Sequence, residues 1–185
     1  MNNHYYEQIL LELKETVSKF DEEAIDQLAD AMIRSNRIFL AGTGRSGLMV
    51  KAFAMRLMHL GLNTFVVGET IAPGISDTDL LLIGSGSGET GSVSNYAREA
   101  KKHHARVGLI TIFPDSTIGK LADFKVRIDA PTSKKIVERG VTSIQPMGSL
   151  FEQSLMLLLD GMILKLMEKL GVNPDTMWGK HANLE

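Results

Sequence analysis

The chain has 185 residues, 44% hydrophobic and 23% charged, with a net charge of -2 and a pI near 6.2. That is enough for one sizeable core and short for two, and it provides no basic field for collecting nucleic-acid phosphates. Cysteine is absent, which removes disulfides and thiolate metal sites, and the richest apolar stretch, 155–170, is broken by Asp160, Lys165, Glu168 and Lys169, so no membrane span is expected. The first residues lack the basic and apolar regions of a signal peptide, and the expected location is cytoplasmic.

Ile9, Leu10, Leu13 and Val17 recur at three- and four-residue steps, which predicts an amphipathic helix from Tyr5 to about Lys19. Asp21, followed by Glu22 and Glu23, suits the N-cap of a second helix that carries Ile25, Leu28, Ala29, Met32 and Ile33 on one face. These helices form a lead-in over 1–36. An α/β core is predicted over 37–129, with strands at Arg37–Ala41, Asn63–Val67, Asp79–Ile83, Val107–Ile112 and Phe124–Ile128. Helices are predicted after Gly47 through His59, from about Glu89 to His103, and briefly near Thr117–Ala122. Strands interleaved with helices argue for a parallel sheet covered on both faces.

Residues 131–145 have mixed charge and little periodicity and read as a surface loop leading to Pro146, a favourable first helical residue. The last helix, 146–170, has apolar residues around more of its circumference than one domain face needs, and the surplus suits a subunit interface. Gly171 and Pro174 stop it, leaving a tail over 171–185. With no internal repeat or linker, a single domain over 1–185 is expected.

Two loops carry the chemistry. Leu80–Ile83 empties into Gly-Ser-Gly-Ser-Gly-Glu-Thr, where Gly84, Gly86 and Gly88 let backbone amides approach a ligand and Ser85, Ser87 and Thr90 supply hydroxyls. The earlier Gly42-Thr43-Gly44-Arg45-Ser46-Gly47 matches the dinucleotide fingerprint, with Glu69 where a ribose-binding acid could sit. Taken alone it favours NAD. The length leaves little room for a substrate domain, however, and a pair of donor-rich loops suits one small phosphorylated ligand better. Arg45 reads equally as a phosphate partner or as a solvated or interface charge.

Glu152, near the start of the last helix, is the best carboxylate for a base, although an acid there also complements the helix dipole. His103 and His104 read as surface residues, His59 as a second-tier site candidate that packing alone could explain, and His181 by position as frayed tail. No histidine and acid pair has metal-ligand spacing, and the serines lack the nucleophile-elbow pattern.

Gly-Thr-Gly-Arg-Ser-Gly, Ile-Gly-Ser-Gly-Ser-Gly-Glu-Thr, Ile-Gln-Pro-Met-Gly-Ser-Leu-Phe-Glu-Gln and the terminal His-Ala-Asn-Leu-Glu together resemble the sugar isomerase (SIS) domain family. The last two motifs narrow the likeness to its 6-phospho-3-hexuloisomerases. The resemblance implies a doubly wound, five-stranded parallel sheet in flavodoxin-like order and an isomerase acting on a phosphorylated sugar in the ribulose monophosphate route of formaldehyde fixation. It implies no cofactor or metal, no nucleic-acid or membrane partner, and a homo-oligomer, typically a tetramer. Glu152 would be the base and His181 an acid or hydroxyl-proton shuttle, while Gly44, Arg45, Ser46, Ser85, Gly86, Ser87 and Thr90 would hold the phosphate. The alternatives are a non-catalytic sugar-phosphate-binding SIS module and another sugar-phosphate isomerase of the same family.

Overall fold

The apolar run Leu80–Ile83, uninterrupted by polar residues, becomes the central strand of a sheet covered on both faces, and all four side chains are buried. The computed structural model describes residues 4–131 and 142–184. Strands β1 (Ile38–Gly42), β2 (Thr64–Val66), β3 (Leu80–Gly84), β4 (Arg106–Thr111) and β5 (Phe124–Arg127) form one parallel sheet in the order β2-β1-β3-β4-β5. This is the flavodoxin-like order expected from the sequence.

The two-residue period of the strands divides the core. Ile38, Leu40, Leu80 and Leu82 pack toward α2 (Glu22–Ile33), α3 (Gly44–Leu60) and α5 (Ser149–Leu170). Phe39, Ala41, Leu81 and Ile83 pack on the other side, against Val93, Ala97 and Ala100 of α4 (Gly91–Lys102). The first helix, α1 (His4–Val17), lies along α5, and Asp21 caps α2 by accepting from the Ala24 amide at 3.1 Å. Because α3 and α4 leave adjacent strands toward opposite faces, the chain parts between the carboxyl ends of β1 and β3. In an open α/β sheet ligands collect at that switch point.

The sequence expectation fails at three places. No helix forms at 117–122, where the chain makes consecutive turns closed by Lys120 N–H to Ser116 O and Ala122 N–H to Ile118 O. Pro146 is not the first residue of the long helix: Met147 is left-handed, with φ of 58°, which a right-handed helix cannot continue through, so α5 starts at Ser149 after an N-cap at Gly148. The tail also contains a short helix, α6 (Pro174–Trp178), closed by a capping box between Asn173 and Thr176. Most of the predicted loop 131–145 lies outside the described residues. Gly171 ends α5 in the left-handed conformation, as anticipated.

Candidate active site

β1 and β3 end side by side, with Gly42 paired to Gly84, so the two glycine-rich loops emerge from one edge of the sheet. After β1 the chain must turn sharply into α3. Gly44 supplies a φ of +58°, and Gly42 and Gly47 approach so closely that a Cβ on Gly47 would lie 2.8 Å from the Gly42 carbonyl oxygen. Arg45 and Ser46 therefore occupy the first turn of α3, at its positive end.

The second loop is fixed by its own hydroxyls. The Gly88 amide donates to Ser85 Oγ and the Glu89 amide to Ser87 Oγ, both at 3.2 Å. Thr111 Oγ1 and the Ile112 amide both donate to the Gly86 carbonyl at 3.1 Å, tying the loop to the end of β4. Thr90 is the N-cap of α4, yet its side chain makes no capping bond. The amino ends of two helices thus converge on one region, an arrangement that suits an anion.

The third wall comes from residues 146–149 and the start of α5, which with the two loops enclose a cleft of about 460 Å³. Glu152 projects into this cleft with 17% of its side chain exposed. Arg45 Nη1 lies 3.1 Å from Glu152 Oε2 and donates to Ser149 Oγ at 2.9 Å. The approach to this wall is held from α1. Glu12 accepts from the Ser143 hydroxyl (2.7 Å), the Ile144 amide (2.8 Å) and the Gln145 side chain (2.9 Å). Burial opposes ionisation of Glu12, but these three bonds outweigh it and hold its carboxyl below the usual range.

Gly44, Arg45, Ser46, Ser85, Gly86, Ser87, Thr90 and Glu152 all border or reach into this one cleft. His59 and His181 do not. His59 is buried near the other end of α3, about 20 Å along the helix from Ser46. His181 stacks on it there, with ring centroids 5.5 Å apart. Far from frayed, the tail is seated. Glu69 pairs with Lys51 at 3.0 Å, so the acid considered for a ribose is engaged elsewhere. His103 and His104 are exposed, with His103 beside Glu99, as the sequence suggested. Among the described residues no group of three or more His, Asp or Glu is placed to hold a metal ion. Met147 and Glu12 were not expected to shape the site, since nothing in their local sequence reports contacts made over long distances along the chain.

A model of the SIS domain family matches residues 31–157. A 3-hexulose-6-phosphate isomerase of Bacillus subtilis (strain 168) is 52% identical over 98% of this chain and 97% of its own. A 3-hexulose-6-phosphate isomerase of Mycobacterium gastri is 42% identical over 94% of this chain and 86% of its own. A solved structure from Methanococcus jannaschii, for which the molecular function of 3-hexulose-6-phosphate isomerase was inferred, is similar with a TM-score of 0.81 and 33% identity over 98% of both chains.

Proposed function

The chain belongs to the SIS domain family, and from that membership we propose that it interconverts D-arabino-3-hexulose 6-phosphate and D-fructose 6-phosphate. The observation that carries this reading is the meeting of Glu152 with two amide- and hydroxyl-rich loops in one cleft. The loops suit the 6-phosphate and the carboxylate suits a proton on the carbon chain. A non-catalytic sugar-phosphate module would need the first and not the second.

Moving a carbonyl from C3 to C2 requires a base to take the C2 proton, an enediolate, and return of a proton to C3. Glu152 can serve as that single base. Ser46, Ser85, Ser87 and Thr90, with the loop amides, hold the phosphate and so set the sugar carbons relative to Glu152. Arg45, already on Glu152, neutralises charge beside the developing enediolate or turns to the phosphate. His181 moves the hydroxyl protons. Since it sits at the far end of α3 in its own chain, it serves a neighbouring subunit.

We propose a homo-oligomer, a tetramer as is typical of the family, which would bring His181 of one chain to the cleft of another. It also covers apolar side chains on the outer faces of α3 and α5, where Leu48 is 61% and Leu164 67% exposed. Among the described residues no helix is long and apolar enough to cross a membrane. We assign the protein to the cytoplasm and to the second step of the ribulose monophosphate route. Supplied with a hexulose phosphate synthase, ribulose 5-phosphate and formaldehyde, the purified protein is expected to form fructose 6-phosphate. Sugar-phosphate binding without any product would favour the non-catalytic module.

A further inference from the structure

His181 stacks with two rings. His59 stacks on it at 5.5 Å and 22°, and Trp178 at 5.0 Å and 26°. The Lys180 side chain fills the space that a Cβ on Gly61 would need, so two tail residues, Lys180 and His181, meet the carboxyl end of α3. His59 is only 3% exposed, a buried polar ring on a helix whose other buried residues at this end are apolar.

The partners assign the protons. Arg56 Nη1 lies 3.3 Å from His59 Nδ1, and a guanidinium can only donate, so Nδ1 accepts and the neutral ring carries its proton on Nε2. His181 Nδ1 lies 3.0 Å from the Ala182 carbonyl, which can only accept, so Nδ1 donates and the neutral ring leaves the Nε2 lone pair free. A free lone pair is what a hydroxyl-proton shuttle needs. Burial, then Arg56 and His181 itself, push the His59 ring below the usual imidazole range, which favours the neutral ring that Arg56 requires.

We infer that His59 is the positioning residue for His181: its ring, with that of Trp178, stacks on the His181 imidazole and fixes it, and the outward Nε2 is presented to a neighbouring subunit's cleft. This rests on the proposed role of His181 and adds a residue that acts only through it.

The test is a double-mutant cycle on the full-length enzyme, assayed with fructose 6-phosphate. His181→Ala is expected to lower kcat about 100-fold. His59→Ala should lower kcat at least about tenfold with little change in KM, and should lower it no further when His181 is already Ala. His59→Phe, which restores a stacking ring, should recover most of that loss. Should His59→Ala not fold, Trp178→Ala removes the other, exposed stacking ring and is expected to lower kcat in the same non-additive way. If His181→Ala is slow while His59→Ala and Trp178→Ala turn over at the wild-type rate, or if the effects multiply, the positioning role is overturned alone. Wild-type turnover by His181→Ala overturns the role of His181, and this inference with it.

Discussion

Arg45 Nη1 rests 3.1 Å from Glu152 Oε2, joining the loop after β1 to the first turn of α5 between residues more than a hundred positions apart. The pair ties the phosphate-type loop to the carboxylate that would do the chemistry. It separates two classes of substitution: those that loosen the grip on substrate and those that remove the reacting group.

Ser87 belongs to the first class. Its hydroxyl already fixes the Glu89 amide and faces the cleft, so Ser87→Ala is expected to raise KM for fructose 6-phosphate about tenfold, the value of one hydrogen bond to a charged group. The turnover number should change by no more than about threefold. Steady-state kinetics on the two constants checks this.

Gly47 tests the loop architecture. A methyl group there would press on the Gly42 carbonyl 2.8 Å away, and backbone atoms cannot yield as a side-chain end can. Gly47→Ala is expected to cost about 1–3 kcal/mol and to widen the first loop, raising KM as well. Thermal unfolding should show a fall of roughly 2–12 °C for a chain of this size.

Asp79 sets an acid limit on stability. Burial alone raises its carboxyl, but two bonds from Arg37 (2.7 and 3.1 Å) and those from the Ser76 hydroxyl and amide outweigh it and hold the group below the usual carboxylate range. A folded-state value below the unfolded one gives stability that is complete above about pH 4 and lost as pH falls through the depressed value. Asp79→Asn should cost about 3 kcal/mol at neutral pH and flatten the acid limb below about pH 4. Denaturant titrations at a series of pH values measure both.

How far the sequence spoke depended on whether a feature was local. The loops after β1 and β3 were legible because apolar runs ending in glycines are short-range signals, although each strand extends to the glycine itself, Gly42 and Gly84, which pair across the sheet. The left-handed Met147 was not legible, since a non-glycine residue is held there only by its surroundings. The turns at 117–122 take the place of a helix because their amides go elsewhere: the Thr117 amide donates to Glu89 Oε1 and the Ile118 amide to the Gly88 carbonyl. Glu152 was singled out by its motif, but its pairing with Arg45 is a product of the fold. The His59–His181 stack likewise depends on a tail that, by position alone, reads as frayed.

Subunit exchange tests the placement of His181. Glu152→Gln and His181→Ala proteins are each expected to be nearly inactive. When they are co-expressed or unfolded and refolded together, mixed oligomers should form some sites with an intact Glu152 and an intact His181 from different chains. Recovery of part of the wild-type rate supports a shared site, and no recovery from proven mixed oligomers would place both groups in one chain.

The central claim is that Glu152 moves a proton between C2 and C3 of a 6-phosphorylated sugar. Fructose 6-phosphate incubated with the enzyme in deuterium oxide and followed by proton NMR tests it most directly. The wild-type enzyme is expected to replace the C3 hydrogen with deuterium, while Glu152→Gln, still binding the sugar phosphate, should do so about a thousandfold more slowly. Exchange at C1 instead of C3, or an unchanged rate for Glu152→Gln, would contradict the account.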